Sequence, residues 1–238
     1  MNYFFITGTG KGLGKSIAKK LLENSQNKIW GLSRENSLAH PNFIFEKIDL
    51  SNIQILKSFS FPEISKANSI TLINNAGIIG DIKPIGKKTS LSIENTFTIN
   101  TISPSLLMNQ FIKQFQTINC KKTILNISSG AGRHTIRSWA DYCASKSALD
   151  MFSIVLNDEQ QNQEYPFKVF SVAPGIIDTD MQKEIRSVNS SNFEQLEYFK
   201  ELKNKNQLST PSDIAKKIIE IIDSSHKHNE VLLDVRDF

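Results

Sequence analysis

The first twenty-odd residues restrict the possible folds more than any other stretch. Residues 3–6, Tyr-Phe-Phe-Ile, are a short apolar run that reads as a strand, and Thr7 and the glycine-rich GTGKGLG follow at once. Leu13, Ile17, Ala18, Leu21 and Leu22 then recur along one side of a helix expected over about residues 13–23. A strand that turns through glycines into a helix leaves unpaired amides at the positive end of the helix dipole, which suits an anion such as pyrophosphate. The spacing is specific. A GxGxxG pattern begun at Gly8 needs glycine where Leu13 stands, and one begun at Gly10 meets Lys15. TGxxxGxG, from Thr7 to Gly14, does fit. A glycine turn without a ligand is the alternative reading of this segment.

Downstream, apolar and amphipathic runs alternate. Strands are expected at 28–34, 42–50, 70–77, 123–127, from 167 and in the VLLDV segment, and helices at 53–59, from about 91 to 117, from Tyr142, and in STPSDIAKKIIEIID. The last helix begins with Ser, Thr and Pro, as helix starts do. Such alternation predicts an α/β fold: a doubly wound parallel sheet, helices on both faces, ligand at the carboxyl ends of the strands. A chain of 238 residues with 39% hydrophobic content fills one such domain, 1–238.

Other classes find little support. No run approaches the eighteen or more apolar residues of a membrane span, and MNYFFITGTG enters a strand without a basic leader, so a cytoplasmic protein without a membrane partner is expected. Cys120 and Cys143 form no CxxC pair, and His226 and His228 lie in a polar stretch that reads as a solvated turn; no metal site is expected. The net charge of +4 is spread over separate segments, which argues against a nucleic-acid partner.

The chemistry concentrates in residues 125–150, LNISSGAGRHTIRSWADYCASKSALD. Tyr142 and Lys146 stand four apart in a segment of helical spacing, so both project from one face. A free phenol holds its proton to a pKa of about 10, and a nearby ammonium lowers that value toward general acid/base use. Ser129, thirteen residues before Tyr142, follows a strand end and can lie beside the phenol. At the end of the second strand, Ser33 and Arg34, with Lys11 in the glycine loop, offer cations and no acid at position 33, which favours the 2′-phosphate of NADP(H). Glu35 leaves NAD(H) open.

The sequence resembles the short-chain dehydrogenase/reductase family. TGxxxGxG, NNAG at 74–77, Asn100, Ser129 with YxxxK, and the Pro174–Gly175 turn stand in that family's order across nearly the whole chain. LINNAG, NISSGAG, WADYCASKSALDMF and APGIIDTDMQ are similar to its sepiapterin reductase and benzil reductase branch. The resemblance implies a single Rossmann domain and a carbonyl reductase that passes hydride from NADPH to a ketone or vicinal diketone. It implies Asn100, Ser129, Tyr142 and Lys146 as catalytic residues, with Asn100 in a water relay. For the cofactor it implies Gly8, Lys11, Gly12, Leu13, Gly14, Ser33, Arg34, Asp49, Leu50, Asn75, Ala76, Gly77, Tyr142, Lys146, Pro174, Gly175, Ile177 and Thr179.

Residues 180–208 are then expected to be a lid over a small carbonyl substrate. A homodimer or homotetramer is implied, in contact through the helices around 100–115 and 142–157. Two other readings stay open: a dinucleotide-binding redox sensor, and an NAD-linked alcohol dehydrogenase.

Overall fold

A computed structural model describes residues 1–238. Seven strands form one sheet: β1 (Asn2–Thr7), β2 (Asn27–Ser33), β3 (Phe43–Lys47), β4 (Ser69–Asn74), β5 (Lys121–Ile127), β6 (Phe167–Ala173) and β7 (Leu232–Asp234). Their spatial order is 3-2-1-4-5-6-7, and every neighbouring pair is parallel. The order reverses beside β1, so a crevice opens at the carboxyl ends of β1 and β4, where ligands bind in open α/β sheets. This is the Rossmann arrangement.

Side chains alternate across the sheet because successive residues of a strand point to opposite faces. Phe4 and Ile6 of β1, Ile73 of β4, Leu125 and Ile127 of β5 and Phe170 and Val172 of β6 meet α1 (Gly12–Leu21) and α8 (Pro211–Asp223) on one face. Phe5, Ile70, Leu72, Ile124 and Val169 meet α4 (Ser103–Phe115) and α5 (Ala140–Gln160) on the other, with Leu56 of the short α2 (Ile53–Ser58). Phe5, fully buried, stacks on Trp30 at 5.2 Å and meets Phe61 edge-on at 5.0 Å. Truncating a ring so placed costs about 3–5 kcal/mol.

Three elements differ from the sequence pattern, the first being the fourth strand, which ends at Asn74 rather than 77. The third strand ends at Lys47 rather than 50: the Ile48 amide still donates to the Ser33 carbonyl, and the Asp49 carboxylate then turns back to take the amide and hydroxyl of Ser51. The helix expected from about 91 to 117 is α3 (Ser90–Phe97), a π-helical segment over Thr98–Ile102, and α4. In the π segment the Ser103 amide reaches back five residues to the Thr98 carbonyl. Single π turns of this kind are frequent at functional sites.

No helix is long and apolar enough to cross a membrane. Residues 180–208 hold α6 (Asp180–Arg186) and α7 (Leu196–Asn204), and they build a third apolar cluster with Tyr142 and Trp139 at the sheet's carboxyl edge.

Candidate active site

The glycine turn is shaped by a residue far along the chain. Asn75, just past β4, donates through Nδ2 to the Thr7 carbonyl at 2.9 Å, and the amides of Asn75 and Ala76 both donate to Thr7 Oγ1, at 2.9 and 3.0 Å. Gly8 (φ +75°) and Gly12 (φ +57°) hold left-handed conformations that favour glycine. A Cβ on Gly14 would run into Asn75 Nδ2 and the Gly8 carbonyl. Position 14 therefore lacks a side chain so that α1 can start against the turn. Leu13 is buried in the α1 face of the core. Helix α1 has no side-chain cap at Lys11 and no acid in its first turn, so its leading amides stay available. These features fit a dinucleotide's pyrophosphate.

Around this turn the other expected cofactor residues fall as follows. Ser33 is buried, its hydroxyl 3.2 Å from Thr9 Oγ1 and donating to the Glu35 carbonyl. Arg34 is exposed and close enough to Asp49 to help hold that carboxyl below its usual range, after the larger effect of the Ser51 bonds. Leu50 is buried. Lys11 pairs with Asp180 at 3.0 Å, which joins the glycine turn to α6. A Cβ on Gly12 would lie 3.6 Å from the Thr179 methyl, so the Thr179 segment borders the turn as well. Gly175 (φ +70°) follows the buried Pro174, and Ile177 bridges Ser209 in parallel fashion.

The reactive groups gather at the end of β5. Ser129 caps the tight turn 130–132, its Oγ accepting the Ala131 amide at 3.1 Å. A Cβ on Gly132 would lie 2.9 Å from the Lys146 carbonyl carbon, so glycine lets this turn sit directly on α5. Lys146 is buried and donates to the Ile127 carbonyl at 2.8 Å, with its nitrogen 6.0 Å from the centre of the Tyr142 ring. A Cβ on Gly77 would meet Asn100 Oδ1 at 3.2 Å and Lys146 Nζ at 3.4 Å. The NNAG loop, the π segment and α5 thus converge on one point.

Asn100 is fully buried. Its Oδ1 accepts the Ile78 amide at 2.9 Å, and its Nδ2 donates to the Ile78 carbonyl at 2.9 Å and to Ser145 Oγ at 3.1 Å. Both of its donor positions and one of its two acceptor positions are thus taken by protein.

The electrostatics differ from the sequence expectation in one respect. Burial pushes the Tyr142 phenol up, the Ser129 hydroxyl pulling it partly back; Lys146 is not among the groups that shift it. Burial also brings Lys146 down from 10.5 to about 8, opposed by the Asp150 carboxylate one turn on. Desolvation disfavours each charged form, and here it outweighs the attraction between them. Cys143 is half-buried against the third cluster, and burial pushes its thiol up.

Sequence reasoning missed the groups that brace the site. Asn74 donates to Asn126 Oδ1 at 2.8 Å, and Asn126 in turn donates to Ser153 Oγ at 2.8 Å, which ties β4, β5 and α5 together beneath the reactive groups. Trp139 lies edge-on to Tyr142 with ring centres 5.6 Å apart and stacks on Phe193 at 5.5 Å. Leu196 and Phe199 lie on α7 and Phe193 in the extended segment before it, and all three meet Trp139 in one cluster.

The topology and the open glycine turn define a Rossmann domain with the features of a dinucleotide-binding site. The chain belongs to the short chain dehydrogenase family, whose model matches residues 2–190. It is 37% identical over 237 residues to a benzil reductase ((S)-benzoin forming) of Bacillus cereus, covering 94% of this chain and 95% of that one. It is 26% identical to the sepiapterin reductase of Xenopus tropicalis, over 92% and 90% of the two chains. A solved short chain dehydrogenase/reductase of Saccharomyces cerevisiae superposes with a TM-score of 0.85 at 26% identity, covering 99% of this chain and 96% of that one.

Proposed function

We propose that the protein is an NADPH-dependent carbonyl reductase acting on ketones and vicinal diketones of the benzil type. The observation that carries this reading is the meeting of Ser129, Tyr142 and Lys146 beside an uncapped glycine turn, in a chain similar to benzil reductases. A bound reduced nicotinamide would supply the hydride. Tyr142 donates its proton to the carbonyl oxygen, and burial keeps that proton on the phenol, the form that reduction requires. Ser129 hydrogen-bonds the same oxygen and orients it. Lys146 gives one N–H to Ile127 and keeps two for the nicotinamide ribose and the phenol. Asn100 works by position: its side chain holds Ile78 and Ser145, and through them the NNAG loop and α5.

Arg34 and the acid-free position 33 support NADPH over NADH. Residues 180–208 act as the lid, closing an apolar space around Tyr142 with Phe193, Leu196 and Phe199. On α5, Met151 (59% exposed), Phe152 and Val155 present apolar side chains to solvent, with Ile102 nearby in sequence to α4, and a homodimer or homotetramer through these helices covers them. Light scattering of the purified protein reads that assembly; a monomer would remove it. The function is tested by following NADPH oxidation with benzil, other diketones, pterins and simple ketones, with Tyr142→Phe as control. Turnover of diketones that Tyr142→Phe abolishes is expected. Wild-type rates in that variant would overturn the proton-donor role, and no turnover of any carbonyl compound would overturn the function.

A further inference from the structure

One residue before Tyr142 on α5, Asp141 belongs to an ion pair that the reaction as described does not use. Lys88 and Asp141 have side chains only 1% exposed, and Lys88 Nζ donates to Asp141 Oδ1 at 2.6 Å. The same ammonium also donates to the Asp81 carbonyl. Asp141 is in the first turn of α5, immediately before Tyr142; Lys88 lies near the end of the loop 78–89, the later part of the connection 75–89 from β4 to α3. The second carboxylate oxygen, Asp141 Oδ2, is buried without any partner, 3.1 Å from where a Cβ on Gly80 (φ +69°) would be.

Stability does not account for this pair. Removing two charges from water costs about as much as their attraction returns, and apolar replacements of similar volume are often as stable or more so. An unpartnered carboxylate oxygen adds to the cost.

The loop explains what the pair is for. Its first residue, Ile78, is held at both amide and carbonyl by Asn100, and its last turn is held by Lys88. Between these anchors Asp81 organises the loop on itself, taking the Thr89 amide at 3.1 Å while its own amide donates to Ser92 Oγ at 2.7 Å. Ile79 and Ile82 are thereby pressed into the apolar cluster of Tyr142, Trp139, Phe193 and Phe199.

We propose that Lys88 and Asp141 are a positioning pair for substrate: they fix the Ile79/Ile82 wall against Tyr142, and so determine which carbonyl compounds fit. The pair acts on the bulk of the substrate, not on the cofactor. This inference rests on the carbonyl-reductase reading, and the two fail separately.

The test uses the full-length protein and the double variant Lys88→Met/Asp141→Leu, which removes both charges at similar volume. The melting temperature should fall by no more than about 4 °C, the lost hydrogen bond to the Asp81 carbonyl being largely offset by the relief of two buried charges. kcat/KM for benzil should fall at least tenfold, mostly through KM, while that for butane-2,3-dione, too small to reach the wall, falls less than threefold and the KM for NADPH stays within twofold. Equal losses on both diketones, no loss on either, or a parallel rise in the NADPH KM would each overturn the proposal.

Hydrogen exchange gives a readout independent of turnover: amides of residues 78–82 should exchange at least tenfold faster in the variant, with those of β1 and α1 unchanged. Unchanged exchange in the loop overturns the pair's role even where the wild type reduces neither diketone, an outcome that by itself speaks only against the proposed function. Should the double variant not accumulate as folded protein, Lys88→Arg, which keeps the charge but changes its reach, is read by the same exchange and the same outcomes.

Discussion

Lysines 122 and 146 are both buried, and strand β5 separates them. Lys122, at the amino end of the strand, donates to the carbonyls of Phe115 and Gln116, at 3.1 and 2.6 Å, which closes off the last turn of α4. The Phe167 ring lies 4.7 Å from its nitrogen. Lys146, at the carboxyl end, donates to one carbonyl only and faces a phenol. Burial lowers the pKa of each. The same residue type, desolvated at both ends and more deeply at Lys146, is thus tied by two carbonyls and a ring at one end of the sheet and left with spare donors at the other. Binding at the carboxyl edge of an open α/β sheet depends on groups of the second kind, and the opposite edge has no such need.

The largest effect that can break this comparison is on turnover. Lys146→Met should lower kcat by about 10²–10⁴-fold, the usual range for a group that assists proton transfer, with circular dichroism unchanged. Lys122→Met should leave kcat within about twofold. If both variants lose activity alike, the division between the two ends is wrong.

Next in size is a change confined to the carboxyl end of β2. Arg34→Asp should raise the KM for NADPH by about tenfold or more and spare NADH, since it exchanges a charge-assisted phosphate contact for a repulsion. Equal losses with both cofactors would leave the assignment of the 2′-phosphate to Arg34 without support.

At the amino end the expected effect is on stability. Lys122→Met strands two carbonyls of α4 but also relieves a buried charge, so a net loss of about 1–2 kcal/mol is expected in denaturant titration. No loss would mean that solvent or a neighbouring group satisfies the helix end as well as Lys122 does.

The last effect is on pH dependence. With Lys146 at about 8 in the folded protein against 10.5 unfolded, the unfolded chain binds more protons between these values. Wild-type stability should therefore gain from Lys146 as pH rises through that window, by at most about 1.4 kcal/mol per pH unit, and this contribution is lost as pH falls through about 8. Lys146→Met should have a flatter profile there; an identical slope would mean that the lysine titrates normally.

Strands β1, β4 and β5 were legible because both of their faces are covered, which writes them as continuous apolar runs. The TGxxxGxG, NNAG and YxxxK segments were legible because each depends on local spacing. What was hidden depends on distance along the chain. Lys88 and Asp141 are 53 residues apart, and neither position differs in sequence from an ordinary surface charge. Asn74 and Asn126 are 52 apart, each looking like the polar end of a strand. The π segment was signalled only by asparagine at position 100, a poor helix former, and nothing local says that its side chain will hold Ile78. The phenol's pKa went the other way from the sequence expectation because spacing shows which charge is near but not how much water is lost.

The clasp of Asn75 on Thr7 and Gly8 has a consequence for synthesis on the ribosome. The glycine-rich turn leaves the exit tunnel well before β4 does, yet the residue that moulds it is made almost seventy positions later. Strand β1 also ends up in the interior of the sheet with β4 along one side. Until β4 and the asparagine after it have been translated, a nascent chain carries the whole motif in an unset form, so a truncated product ending at residue 68 should fail to protect its Thr7–Gly14 amides from exchange.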